Sequence, residues 1–132
     1  MHGRPLTLIC FLPCFFFPVA QQLLGAMAMG CTGAVGSTYN YMGAEANRLV
    51  QAFQKGDLEQ ARVHQARCGD LVKLLHHGGR YGAGVNVQKA IMELIGVQVG
   101  PPRAPHRRPS PEGLELLRRD LTDIGFFEWG GC

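Results

Sequence analysis

Apolar side chains recur every three to four residues along most of this chain, a spacing typical of helices with one buried face. The clearest stripe comprises Val87, Ile91, Leu94 and Ile95, at positions i, i+4, i+7 and i+8. Taken in chain order, the pattern predicts helices over residues 21–29, 44–55, 58–77, 87–95 and 111–124. The chain is therefore expected to be mostly α-helical.

Small and polar residues mark the predicted helix ends. Asp57, with Gln60 three residues later, has the pattern of a capping box, and Gly56 just before it is a typical helix terminator. Asn86 is predicted to cap the fourth helix, and Ser110 before a proline is a strong start for the fifth. Between those two helices, four prolines block helix formation and predict an extended connector: Pro101, Pro102, Pro105 and Pro109.

The stretch from Gly30 to Gly43 has a different pattern. Three glycines stand three residues apart with small or β-branched residues between them, and four polar residues follow: Ser37, Thr38, Tyr39 and Asn40. This pattern predicts a short buried strand whose C-terminal end carries the polar group. A strand between two helices indicates a parallel α/β sheet or barrel, in which ligands bind at the carboxyl ends of the strands. A phosphate-binding loop is the alternative, but the helix-opening GxGxxG order is absent.

The same stretch closely resembles the last barrel strand of the N-acetylneuraminate lyase family, Schiff-base aldolases related to dihydrodipicolinate synthase. The resemblance extends from about residue 22 to Trp129. The Ser-Thr-Tyr-Asn continuation is characteristic of the sialic-acid branch and disfavours a hydroxy-oxo-acid aldolase. Three stretches of sequence carry the resemblance to the family: Gly33-Ala34-Val35-Gly36-Ser37-Thr38-Tyr39-Asn40-Tyr41, Lys89-Ala90-Ile91-Met92 and Gly100-Pro101-Pro102-Arg103.

The resemblance implies an α/β fold, the TIM (β/α)8 barrel. Such a barrel needs roughly 200 to 250 residues, and this chain has 132. We therefore expect residues 22–132 to form the C-terminal part of a barrel, with its last strand and extra C-terminal helices.

Residues 1–21 fall outside the resemblance. Their apolar run has the outline of a secretory signal peptide, although Pro13 interrupts the run and Pro18 stands near the expected cleavage site. A second hypothesis is a translated intron end, because Phe, Leu, Pro and Cys have largely pyrimidine-rich codons and Gln21 can supply a CAG. A cleaved N-terminus near Ala20 would instead indicate a small secreted helical protein.

The implied activity is aldol cleavage of N-acetylneuraminate to N-acetylmannosamine and pyruvate by a cytosolic homotetramer without metal or dissociable cofactor. By resemblance, Ser37 binds the polyhydroxyl tail of the sugar acid, and Tyr39 lies beside the site. The family's Schiff-base lysine, proton-relay tyrosine and Gly-Thr-Thr turn belong upstream of the matched part. A family Gly-x-Asp-Glu segment aligns with residues 18–21, where this chain has no carboxylate.

We therefore predict no catalytic residue in this chain and no activity of the chain alone. The available lysines all lie in predicted helices, and a nucleophilic lysine must be desolvated and face the ketone: Lys55, Lys73 and Lys89. The alternative function is a non-catalytic helical interaction protein that associates with full-length lyase subunits.

Composition and charge narrow the classes of protein and of binding site that remain to be considered. With 46% hydrophobic and 17% charged residues the chain is not expected to be globally disordered, and a net charge of +3 is too small for a nucleic-acid surface. Five cysteines without a CxxC pair favour free thiols in a reducing compartment. His76-His77 could ligate a metal, but without matching acidic or thiol partners a solvated helix end is favoured.

Overall fold

The computed structural model describes residues 20–76, 80–81 and 84–130. Within these residues, a single 3-10 turn, Ala20–Gln22, leads directly into the first of six α-helices. In chain order they are α1 Leu23–Ala28, α2 Tyr39–Gln54, α3 Leu58–Leu75, α4 Val85–Leu94, α5 Pro111–Asp123 and α6 Phe126–Trp129. All five helical regions predicted from the apolar pattern are present.

The predicted buried strand is absent from the described part of the chain. Residues 31–36 are non-helical, are exposed or half-buried, and are assigned no strand pairing. A strand requires a neighbour whose backbone groups complete its hydrogen bonds, and no described segment supplies one. Helix α2 then begins at Tyr39, five residues before the predicted start, with a non-helical Met42 (φ −130°, ψ 21°) after the first turn.

Side-chain caps define two of the helix starts as the sequence predicts. Asp57 Oδ1 accepts a hydrogen bond from the Gln60 backbone N–H at 3.1 Å, and Ser110 Oγ accepts one from Gly113 N–H at 3.1 Å. The prediction for Asn86 is wrong, because α4 starts at Val85 after Gly84, whose φ of +59° suits glycine. Helix α3 ends at Leu75, and the predicted stop at residues 78–79 lies outside the described residues.

Helices α2 and α3 form the central pair, joined by a loop of three residues, 55–57. Such a short connection makes the two helices antiparallel neighbours. Gln65 on α3 holds the 3-10 turn Ala20–Gln22, which we call the N-terminal turn, against this pair. Its Oε1 accepts from Leu24 N–H at 2.7 Å, and its Nε2 donates to the Ala20 carbonyl at 3.0 Å.

The main core lies between α2, α3, α4, α5 and α6; the aromatic residues of α6 form what we call the aromatic tail. Phe126 packs edge to face against Tyr41 and Trp129, with ring centroids 6.4 and 5.3 Å apart. The predicted stripe of α4 faces inward, and so does the apolar side of α5. The fully or almost fully buried residues of the two helices are Val87, Ile91, Leu117 and Leu121. A separate small cluster, formed by Leu23, Ala46 and Leu49, lies between α1 and α2.

A pair of leucine substitutions on α3 tests this core. Leu71 is 0% exposed and Leu58 is 47% exposed on the same helix. Leu71→Ala should lower the free energy of unfolding by about 2 to 5 kcal/mol, because it removes buried contacts and leaves a cavity. Leu58→Ala is the matched control and should cost no more than about 0.5 kcal/mol. Urea unfolding followed by circular dichroism measures both, and equal costs would contradict the packing described here.

Candidate functional site

Ser37 lies exposed in the turn that precedes α2. Its carbonyl oxygen accepts from Asn40 Nδ2 at 2.9 Å and from Asn40 N–H at 3.3 Å, which fixes the turn. No described residue hydrogen-bonds to the Ser37 hydroxyl, so this group can both donate to and accept from a ligand.

A shallow pocket of about 320 Å³ contains Ser37. It lies where the N-terminal turn, the end of α3 and the start of α4 meet. Ala20 and Gln21 line this pocket together with Ser37; both belong to the stretch that is expected, by resemblance, to align with the family's acidic segment. The neighbouring Thr38 hydroxyl is buried without a hydrogen-bond partner. Among the described residues, the pocket therefore offers hydroxyl, amide and imidazole groups but no carboxylate to a ligand. Its other lining residues are Val72, Leu75, His76, Gly84, Val87 and Gln88.

Tyr39 points its phenol into the protein rather than into solvent. The phenol oxygen is buried and has no hydrogen-bond partner. Burial raises the pKa of Tyr39, and the nearby Cys68 raises it further. The phenol therefore stays protonated at neutral pH.

The three lysines are held away from the Ser37 pocket. Lys89 Nζ donates to the carbonyls of Pro101 at 3.1 Å and Val99 at 3.3 Å, which ties α4 to the proline-rich connector. Lys73 forms an exposed ion pair with Asp70 at 3.0 Å. Lys55 is exposed at the end of α2. None of the three lines the pocket.

A buried carboxylate joins the central helices, and the sequence analysis missed it. Glu45 on α2 is 0% exposed. From α3, His64 Nδ1 lies 2.8 Å and Arg67 Nη1 3.0 Å from its Oε1, while Arg48 Nη1 lies 2.6 Å from its Oε2. The available signal was position, because Glu45 stands midway between the buried Tyr41 and Leu49 at intervals of four.

Burial raises the pKa of the Glu45 carboxyl, but hydrogen bonds from His64, Arg48 and Arg67 more than offset it and hold the pKa below its usual range. Arg48 also donates to the Trp129 carbonyl at 2.9 Å, so the charge cluster connects α2, α3 and α6. Each oxygen of the carboxylate already has a cationic or histidine partner. The arrangement is therefore suited to holding helices in place rather than to acid–base chemistry.

A second cluster fixes residues 80–81, which lie between α3 and α4 in the chain, to α5. The Tyr81 hydroxyl donates to Asp120, and Arg80 and Arg119 pair with the same carboxylate at 3.3 Å each. The Tyr81 bond holds the pKa of Asp120 below its usual value, whereas burial and that carboxylate raise the pKa of Tyr81 to about 12. This cluster is also structural.

A groove of about 660 Å³, lined by uncharged and mostly apolar residues, runs between α1, the segment 31–36 and α2; we call it the α1–α2 groove. Its residues are uncharged throughout, and the small cluster of Leu23, Ala46 and Leu49 lies beneath it. The groove is lined by Leu23, Met27, Cys31, Thr32, Gly33, Ala34, Tyr39, Gly43, Ala46, Asn47, Val50, Phe53 and Gln54.

Metal ligands and thiols give no further site in the described residues. No three His, Cys, Asp or Glu side chains within 20–76, 80–81 and 84–130 come together in a way that could hold a metal ion. Cys31 and Cys68 are free thiols, the first half-buried and the second fully buried. Burial raises the pKa of Cys68 to about 12. His76 is exposed at the end of α3.

No helix in the described part of the chain is long and apolar enough to cross a membrane.

Comparison with known proteins gives a consistent result. Residues 19–124 match the model of the dihydrodipicolinate synthetase family. The N-acetylneuraminate lyase of Sus scrofa is 44% identical over 111 residues, which cover 83% of this chain and 34% of the pig protein. The rat lyase is 38% identical over 116 residues, covering 87% and 35%. The chain thus spans about a third of the length of the curated relatives it matches.

Solved structures show the same relationship. The N-acetylneuraminate lyase of Aliivibrio salmonicida superposes with a TM-score of 0.73 at 33% identity, and that of Proteus mirabilis with a TM-score of 0.72 at 30% identity. Each match covers 84% of this chain and 36% of the solved one. The helices of this chain are therefore arranged like the corresponding helices of these barrel enzymes.

The Glu45 cluster generates a stability prediction. Glu45→Gln should destabilise the fold at pH 7 by about 1 to 3 kcal/mol, because the cationic partners lose their buried anionic acceptor. Asp70→Asn is the matched control, since its ion pair with Lys73 is exposed, and it should cost at most about 1 kcal/mol.

The same substitution has a defined pH dependence. The pKa of Glu45 is lower in the folded state, so its contribution is full above the unfolded carboxyl pKa and is lost as pH falls through the folded value. Denaturant unfolding at pH 7 and at several acidic pH values should show the difference between wild type and Glu45→Gln shrinking on acidification. A difference that stays constant or grows would contradict the assignment.

Proposed function

The chain belongs to the dihydrodipicolinate synthetase family, and we propose that it forms the C-terminal part of an N-acetylneuraminate lyase barrel. The activity of the whole enzyme would be Schiff-base cleavage of N-acetylneuraminate to N-acetylmannosamine and pyruvate. The observation that carries this proposal is the 44% identity with the pig lyase over 111 residues. The Ser-Thr-Tyr-Asn sequence at the start of α2, residues 37–40, supports the sialic-acid branch over other aldolases.

In this proposal, the chain's own role is to hold the substrate. Ser37 is exposed, its turn is fixed by Asn40, and its hydroxyl has no partner among the described residues. A hydroxyl both donates and accepts hydrogen bonds, so it matches the polyhydroxyl tail of a sugar acid. The carbon–carbon bond would be broken at the other end of the substrate, where an amine forms the Schiff base with the 2-oxo group.

That amine would come from the part of the barrel that lies upstream of the segment matched by this chain. Lys73 and Lys89 have acceptors of their own, a carboxylate and two carbonyls, and Lys55 is exposed. A Schiff-base lysine needs a desolvated site facing the ketone. The complete enzyme is further proposed to be a cytosolic homotetramer that uses neither metal nor dissociable cofactor.

The first test measures activity of the 132-residue chain by itself. Incubation with N-acetylneuraminate should release no pyruvate above background, and borohydride reduction in the presence of pyruvate should leave its lysines unmodified by mass spectrometry. The pig lyase assayed in parallel is the positive control. Pyruvate release together with a reduced adduct on Lys89 would contradict the prediction.

A second test places Ser37 in a whole barrel. A chimaera that carries this chain's residues 22–130 in place of the matched part of the pig lyase should be active. In it, Ser37→Ala should reduce kcat/KM about two- to tenfold, mainly through KM, as expected for one lost hydrogen bond of roughly 0.5 to 1.5 kcal/mol.

The matched control is Ser110→Ala, which removes the only other serine hydroxyl, a helix cap remote from the Ser37 pocket. It should lower thermal stability and leave KM unchanged. An unchanged KM in Ser37→Ala would remove Ser37 from the substrate site.

A further inference from the structure

We propose that the α1–α2 groove and segment 31–36 form a docking surface for a second polypeptide of the same family. The occupant would be the upstream part of an N-acetylneuraminate lyase barrel that ends before its own last strand. The inference rests on the proposed function, since it assigns to segment 31–36 the place of the last barrel strand.

The first support is an apolar face that the described chain leaves uncovered. The cluster of Leu23, Ala46 and Leu49 is separate from the main core and is flanked by half-buried apolar side chains, among them Met27 and Val50. In the neighbouring stretches of chain, Val35 is 59% exposed and Met29 is 86% exposed, although neither lines the groove itself. The groove resembles one side of a hydrophobic core whose other side is supplied by a partner.

The second support is unpaired backbone. Gly33, Ala34 and Val35 form no backbone hydrogen bond with any described residue. A non-helical segment with free N–H and C=O groups is a template for strand addition, in which main-chain hydrogen bonds supply affinity. Burial alternates over Ala34, Val35 and Gly36, which are half-buried, exposed and half-buried, as it does along a strand with two different faces.

The third support identifies the occupant. Solved lyases match this chain with TM-scores of 0.72 and 0.73, yet the match covers 36% of each. In a (β/α)8 barrel each helix covers parallel strands, so the same helix arrangement in those enzymes packs against strands from the rest of the chain. Because no charged residue lines the groove, it suits such apolar barrel strands.

The other occupants fit less well. An intact lyase already has its own last strand and the helices that follow it, so the position that this chain would take is filled. A second copy of this chain would bring the same groove rather than the strands that complement it. Both become controls in the experiment.

The test is co-expression of the full 132-residue chain, affinity-tagged, with pig lyase truncated just before its matched 111 residues. Purification on the tag should yield a complex containing both chains. Intact pig lyase, co-expressed in the same way, should not be retained. Size-exclusion chromatography with light scattering of the chain alone should show no stable dimer through this face.

Two proline substitutions make the test specific. In a barrel, the last strand lies between two neighbours, so the Val35 N–H would be needed for pairing; Val35→Pro removes it and should reduce recovery of the truncated lyase at least tenfold. Val99→Pro is the matched control, because Val99 is also exposed and non-helical and its N–H forms no backbone hydrogen bond. It should change recovery less than twofold.

A second pair tests the groove without altering the backbone. Val50→Asp places a charge among the groove residues and should reduce recovery at least tenfold, whereas Val63→Asp, at a position on α3 outside the groove, should not. Circular dichroism of each variant alone confirms that the helices are retained.

The outcomes separate this inference from the proposed function. A complex that forms and cleaves N-acetylneuraminate supports both, and a complex that forms without activity supports docking while contradicting the proposed function. Failure to recover the truncated lyase, equal loss in Val35→Pro and Val99→Pro, equal retention of intact lyase, or a stable self-dimer through the groove would each overturn the inference.

Discussion

The arrangement of the central helices depends on one buried carboxylate. Glu45 is fully buried in α2, and a carboxylate without partners would be strongly destabilised there. His64 and Arg67 reach it from α3, and Arg48 connects it to the Trp129 carbonyl of α6. These contacts can all form in only one register of α2 against α3, so the cluster fixes both the register and the position of the aromatic tail. The half-exposed arginines keep part of their hydration, which reduces the cost of burying the ion pairs.

That fixed register divides the apolar residues into two sets. The residues of α2 that face α3, α5 and α6, such as Tyr41 and Met42, belong to a closed core. Ala46 and Leu49, further along α2, join Leu23 of α1 in a second cluster that the described chain covers only in part. Gln65 holds α1 in place through two hydrogen bonds, so the open side is a defined surface rather than a frayed end.

The same arrangement places the Ser37 turn. The start of α2 at Tyr39 brings Ser37 and Thr38 against the N-terminal turn and the end of α3. One short stretch of chain, residues 31–38, therefore contributes both to the open groove, through residues 31–34, and to the pocket of the proposed substrate-binding hydroxyl, through Ser37. If that segment completes a barrel, closing the groove also positions the hydroxyl, because both depend on how the segment pairs.

The sequence by itself determined the helices, two of their caps and the family. Apolar spacing, the Asp57 cap of α3 and the Ser110 cap of α5 are local signals that act within a few residues, and the structure contains all of them. The motif from Gly33 to Tyr41 indicates the family that the comparisons show. The assignment of substrate binding to Ser37 stays a prediction.

Only the tertiary structure decided the state of residues 31–36, the start of α2 and the role of Glu45. A strand is defined by its neighbours, so a strand-like pattern cannot form one where no described segment pairs with it. Likewise, a glutamate on an apolar face gives no indication of its partners, because His64 and Arg67 reach it from another helix, 19 and 22 residues away in sequence. Local patterns fix local structure, whereas strand pairing and buried charge depend on contacts between distant parts of the chain.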